Sequence, residues 1–164
     1  CWMWGLSLKS THHLVLQDDV ILCEQFVKAV KKCVENYPEH PLGLYANRKI
    51  CEEAMKQDIR WCQIPDGTWG QAILLPQSMI AKFLKWEKNH ILPNFKHCKI
   101  PAMCPMPSLV DHAGAESSIV GQSNKNKRAR WFVANKNYLE YNWSNKNYLK
   151  SPSMLSKEYY KFYV

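Results

Sequence analysis

The chain has 164 residues, 46% of them hydrophobic and 22% charged, with a formal net charge of +8. That length fits one domain with a real core, and that composition excludes a disordered or collagen-like chain. No apolar run approaches the roughly 18 residues needed to cross a bilayer, and no secretory leader pattern is present, so a cytoplasmic protein is expected, in the host cytoplasm if phage-encoded.

Residues 2–9 read as the end of a helix that feeds a strand at Leu14, Val15 and Leu16. This apolar run predicts a buried parallel strand. It ends in Gln17, Asp18 and Asp19. Ligands of open α/β sheets bind at the carboxyl ends of such strands. Adjacent carboxylates repel unless a cation or a shared proton relieves them, so the pair is a candidate site for a hard divalent metal. A solvated Asp-Asp turn is the other reading of the same residues.

Phe26, Val27, Val30, Cys33 and Val34 recur at helical spacing, with Lys28, Lys31, Lys32 and Glu35 on the opposite face. This predicts an amphipathic helix that ends before Pro38. Leu42 to Ala46 reads as a strand, 47–58 as loop or short helix, and Arg60 to Ile64 as a strand. Asp66-Gly67 marks a turn. Trp69 to Leu75 is apolar, and Pro76 stands where it opens a helix carrying Met79, Ile80, Phe83 and Leu84. Four prolines in 91–107 predict mostly irregular chain there. The alternation of strands and helices points to an α/β or α+β domain.

Seven cysteines form no CxxC pair, which fits reduced, mostly buried thiols better than a disulfide framework or a zinc site. A metal site from His97, Cys98 and Cys104 would need ligands from elsewhere. Residues 121–164 hold 9 Lys/Arg against 2 Asp/Glu, a net +7 of the total +8. Lys125, Lys127, Arg128 and Arg130 form a basic run, and Tyr138, Tyr141, Trp143, Tyr148, Tyr159, Tyr160 and Tyr163 are interleaved with further lysines. Aromatics among cations suit stacking on bases with phosphate contacts, and they equally suit a tail that packs its rings on the core. Residues 134–164 are therefore read as a basic, aromatic-rich C-terminal extension of a core spanning 1–133. The repeated Asn-Lys-Asn-Tyr-Leu at 135–139 and 145–149 is too short and too few for a solenoid.

Pro107-Ser108-Leu109-Val110-Asp111-His112 is a second notable segment, and Asp66-Gly67-Thr68-Trp69-Gly70-Gln71-Ala72 a third. Together with His13 to Asp19 they resemble the GT-A glycosyltransferases, most closely the small phage and bacterial ones. The resemblance covers roughly 2–133 and implies a GT-A-like mixed sheet flanked by helices. It also implies that the N-terminal nucleotide-binding part is short or missing, since only 17 residues precede Asp18. In that family a D-x-D-type motif ends a strand and binds a divalent metal that bridges the phosphates of a nucleotide-sugar. By resemblance Asp19 and His112 are the metal ligands, for Mn²⁺ or Mg²⁺. Gln17 and Asp18 face the nucleotide-sugar, with Trp69, Gly70 and Ala72 lining its cleft. The acidic pair that related enzymes carry before the His segment is replaced here by Asn89 to Asn94. Asp66, Glu116 and Asp111 are then the candidates for a catalytic base.

The function implied is transfer of a hexose, from a UDP-sugar such as UDP-glucose, to an acceptor hydroxyl. A hydroxymethylated base in phage DNA suits the basic C-terminal region, which would hold the phosphates through Lys125, Lys127, Arg128 and Arg130. A bacterial surface glycan is the competing acceptor. A non-catalytic nucleic-acid-binding domain derived from the same fold is the alternative of another class. Oligomerisation through an unpaired edge strand is a further expectation.

Overall fold

The computed structural model describes residues 1–46, 48–85, 95, 97–113, 129, 131–133, 141–145, 147–151 and 153. In chain order the elements are α1 (Trp2–Gly5), β1 (His12–Leu16), β2 (Val20–Leu22), α2 (Phe26–Asn36), β3 (Leu42–Gly43), α3 (Arg48–Lys56), β4 (Trp61–Ile64), β5 (Ala72–Pro76), α4 (Gln77–Leu84), β6 (Ala102–Pro105), β7 (Val110–His112) and β8 (Tyr148–Lys150). Six strands make one mixed sheet in the order β1-β5-β3-β6-β4-β8, and β2 pairs with β7 in a separate two-stranded ribbon. A mixed sheet with helices is compatible with the α/β class.

The side-chain alternation of the strands feeds cores on both faces of the sheet. Leu14, Leu42 and Leu74 turn to the face covered by α2, through Ala29, Val30 and Cys33. Val15, Ile73 and Leu75 turn to the other face, against Trp2 of α1 and Ile80, Phe83 and Leu84 of α4. A third cluster joins Ile50, Cys51 and Ala54 of α3 to Cys62 and Ile64 of β4 and Cys104 of β6. Among the described residues no helix is long and apolar enough to cross a membrane.

Two expectations are corrected. Leu14 to Leu16 do not form a buried parallel strand: β1 lies at one edge of the sheet, antiparallel to β5, and Leu16 is exposed. Three apolar residues in a row read alike whether the strand is central or, as here, covered only in part by α1, α2 and α4. The proline-rich stretch also contains β6, which is buried along its whole length and pairs with both β3 and β4. Pro101 precedes this strand and Pro105 ends it, so neither removes an interior ladder bond. Residues 48–56, read as loop or short helix, form α3.

The pairings fix the direction of each strand. β1, β3 and β6 run one way, and β5, β4 and β8 run the other. The carboxyl ends of β1, β3 and β6 therefore share one rim with the start of β5. The end of β4 lies at the opposite rim. One close approach fastens the centre of the sheet. A Cβ on Gly43 would stand 1.8 Å from Thr68 Oγ1, so only glycine lets the 67–71 crossing lie on β3.

β8 falls within the residues expected as the C-terminal extension, and it is the far edge strand of the same sheet. Trp143 is buried beside Trp61, whose Nε1 donates to the Trp143 carbonyl at 2.9 Å. The Arg60 guanidinium stands 5.3 Å from the Trp131 ring and 5.1 Å from the Tyr141 ring. Trp143 is thus part of the core and Tyr141 half-buried over Arg60, so neither is set out as a stacking platform for bases. Tyr138, Tyr159, Tyr160 and Tyr163 lie outside the described residues.

Candidate functional site

The site grows from the end of β1. Leu16 is opposite Ala72 in the ladder, and the Gln17 amide donates to the Gln71 carbonyl at 2.9 Å. The chain then turns through Asp18 and Asp19 into β2. The partner strand β7 is held in place by the end of β3, because the Leu44 carbonyl accepts from the Leu109 and Val110 amides at 3.0 and 3.2 Å. β2 lies on β7 with Val20 opposite His112, and the Ala113 amide donates to the Asp19 carbonyl at 2.7 Å. Hydrogen bonding at this short ribbon brings Asp19 and His112 together from distant parts of the sequence.

Asp19 Oδ2 is 3.2 Å from His112 Nε2. The imidazole is almost wholly buried and the carboxylate remains partly open. Asp19 Oδ1 and His112 Nδ1 are both buried without a hydrogen-bond partner. Native proteins rarely leave such atoms unpaired; they are not the two atoms that face each other, Oδ2 and Nε2, which stand at ion-pair distance. Two ligands each about 2.1 Å from one ion, at right angles, are about 3.0 Å apart, close to the separation found. An oxygen and an imidazole nitrogen in that relation are a donor set that Mn²⁺ accepts readily and Mg²⁺ less so. Among the described residues no group of three His, Cys, Asp or Glu side chains converges in this way, so any further ligands would be other groups or the bound substrate.

The other expected site residues divide into three sets. Gln17 and Asp18 are exposed on the turn that carries Asp19. Trp69 and Gly70 are half-buried and Ala72 fully buried at the start of β5, on the same rim. Trp69 stands edge-on to buried Tyr45, with ring centroids 6.1 Å apart and planes at 82°. These residues are brought to the Asp19–His112 end of the sheet, with Ala72 beneath the surface as a spacer.

Asp66 and Asp111 are not placed as bases there. Asp66 follows β4, at the opposite rim and four strands from β1, and its carboxylate accepts from the Ser153 hydroxyl. Asp111 is opposite Ile21 in the ribbon, one residue from His112, so its side chain leaves by the other face. It is buried, and its Oδ1 accepts from the amides of His112 at 2.8 Å and Ala129 at 2.6 Å. This oxygen anchors backbone and does not face the Asp19–His112 pair. Glu116, Lys125, Lys127, Arg128 and Arg130 lie outside the described residues.

Among the described residues no thiol joins Asp19 and His112 in a group of three. All seven cysteines are free, and all but Cys1 are buried. Burial pushes Cys23 up to about 11 and Cys104 up to about 12. Cys98 packs against α4 and Cys104 against α3, in different cores, so they do not meet at a metal with His97. Gln71 and Tyr45 were not singled out from the sequence. Nothing in a lone glutamine or tyrosine marks it, and only the ladder register puts them at the rim.

No protein-family model matches this chain, and no curated protein matches it.

Proposed function

We propose that this chain is a metal-dependent glycosyltransferase core that moves a hexose from a UDP-sugar to an acceptor hydroxyl. The observation that carries the reading is the meeting of Asp19 Oδ2 and His112 Nε2 at 3.2 Å, a carboxylate oxygen and an imidazole nitrogen at about the separation that two ligands of one ion would have. The two residues come from the segments whose sequences resemble the GT-A enzymes. A Mn²⁺ or Mg²⁺ ion held by them would neutralise the charge that builds on the departing nucleoside diphosphate.

The protein's own part is binding and orientation. The backbones of Asp19 and His112 are held at the β2–β7 ribbon, so the two side chains would offer an oxygen and a nitrogen to an ion with little rearrangement. Asp18, exposed one residue earlier, is within reach of the ribose or sugar of a donor seated at the turn. Trp69 forms an aromatic wall at the start of β5, supported from behind by Tyr45. With Asp66 remote and Asp111 engaged by backbone amides, Glu116 is the remaining candidate for the base that activates the acceptor. The net +7 carried by residues 121–164 favours a polyanionic acceptor such as modified DNA over a neutral glycan.

The test is a thermal-shift titration with UDP-sugars, with and without Mn²⁺. A donor present at one hundred times its Kd stabilises by about 2.7 kcal/mol, which raises Tm by about 5–10 °C in a chain of this size. Wild type is expected to show that rise only with the metal, and Asp19→Asn and His112→Ala to lose it. A wild-type chain that no UDP-sugar stabilises, or an Asp19→Asn chain stabilised as much as wild type, would refute the proposal.

A further inference from the structure

Among the described residues the buried side-chain polar atoms without a partner belong to His13, Asp19, His40, Arg60, Gln71 and His112. Asp19 Oδ1 and His112 Nδ1 belong to the pair already described, in which the atoms that face each other are Oδ2 and Nε2. His13 is packed under Trp2 and Trp4, His40 stands edge-on to Tyr37, and Arg60 lies between two rings. Gln71 Oε1 is different. Its residue is half-exposed at the functional rim, immediately before Ala72, and its backbone carbonyl receives the Gln17 amide.

We infer that Gln71 Oε1 is the acceptor for a pyranose hydroxyl of the bound nucleotide-sugar, which makes Gln71 a selectivity residue for the sugar. This deepens the glycosyltransferase reading and rests on it. An amide oxygen buried without a partner destabilises the free protein, and groups of that kind are kept where a ligand completes them. The chemistry of the atom narrows the partner. A carbonyl oxygen only accepts, so it gains nothing from phosphate oxygens and needs an O–H or N–H. In a nucleotide-sugar the hexose is bonded directly to the distal phosphate, so its hydroxyls lie nearest to a diphosphate held at Asp19 and His112. The nucleobase N–H lies beyond the ribose, at the far end. Trp69, two residues before Gln71 and braced on Tyr45, supplies an apolar wall for the C–H face of the same ring.

The experiment is calorimetric titration of wild type, Gln71→Met and Gln71→Glu with UDP, and with the tightest-binding UDP-hexose, all in Mn²⁺. Methionine keeps the length and removes the carbonyl, and glutamate keeps an acceptor oxygen. Gln71→Met is expected to bind UDP within about twofold of wild type and the UDP-hexose about tenfold or more weakly, since a site built to pair a hydroxyl loses that pairing. Gln71→Glu is expected to restore the ratio of UDP-hexose to UDP affinity to within about threefold of wild type. Gln71→Met should also melt no lower than wild type, because it no longer buries an unpaired carbonyl. Equal weakening of UDP and UDP-hexose would assign Gln71 to the nucleotide and overturn the inference. Unchanged binding, or a Gln71→Met chain that melts lower or fails to fold, would make the residue structural and overturn it as well. In each of those cases wild type still binds the UDP-hexose and the glycosyltransferase reading stands. A wild-type chain that binds no UDP-sugar overturns both.

Discussion

Substitutions at Asp111 separate an anchoring carboxylate from a catalytic one. Its Oδ1 accepts from the amides of His112 and Ala129 inside the protein. Asp111→Ala strands one buried and one half-buried N–H group at about 1–3 kcal/mol each, a total of about 4 kcal/mol. In a chain of this size that lowers Tm by about 8–16 °C. Asp111→Asn keeps the side-chain oxygen and loses only the ionic part of each bond, about 1 kcal/mol apiece, so Tm falls by about 4–8 °C. Removal of a general base costs about 10²–10⁴ in rate, because an amide takes no proton from the acceptor hydroxyl. Anchoring therefore predicts that Asp111→Asn, assayed well below its Tm, transfers sugar within a few fold of wild type, while Asp111→Ala is the less stable variant. Differential scanning calorimetry and initial rates measured on the same samples decide it. A well-folded Asp111→Asn chain that is slower by a hundredfold or more would show that the carboxylate takes part in the chemistry. An Asp111→Ala chain as stable as Asp111→Asn would refute the hydrogen-bond account.

Three further outcomes are expected. Gly43→Ala sets a methyl 1.8 Å from Thr68 Oγ1 and should cost about 3 kcal/mol in urea unfolding, with more than half recovered in Gly43→Ala/Thr68→Ala. A double variant no better than the single one would place the strain elsewhere. Burial holds the His13 imidazole below its ordinary 6.5, so the unfolded chain takes up a proton that the folded chain resists. Stability should accordingly fall as pH drops below 6.5, by at most about 1.4 kcal/mol per pH unit, and His13→Gln should remove that component. Identical pH slopes for the two chains would contradict this. In Ellman titration at pH 8, Cys1 alone should react quickly, with the six buried thiols appearing only on denaturation. Rapid reaction of Cys23 or Cys104 in the folded chain would mean that their cores open locally.

Local pattern was enough for α2, whose apolar residues recur along one stripe, and for α4, placed directly after Pro76. It failed at β1 and β6 for different physical reasons. Whether a short apolar run is central or an edge depends on which distant strands pair with it, and three or four residues carry no record of that. Pro101 and Pro105 read as breakers, yet a proline at a strand's end costs no ladder bond.

The candidate site shows the same division. Chemistry-bearing residue types are visible in sequence, so Asp19, His112 and Trp69 could be singled out, but the direction of a side chain is not. Asp111 and His112 are adjacent, and in a β-ribbon adjacency puts them on opposite faces. One is thereby turned toward Asp19 and the other toward the amide of Ala129. Asp66 fails by topology, since β4 runs against β1, β3 and β6 and carries its carboxyl end to the far rim. Gln71 is the inverse case. Its residue type is commonplace, and it becomes notable only because Gln17 caps the β1–β5 ladder opposite it, at the rim where the carboxylate and imidazole converge. At that rim Asp19 Oδ2 and His112 Nε2 pair with each other, while Asp19 Oδ1, His112 Nδ1 and Gln71 Oε1 are buried without a partner and burden the free fold.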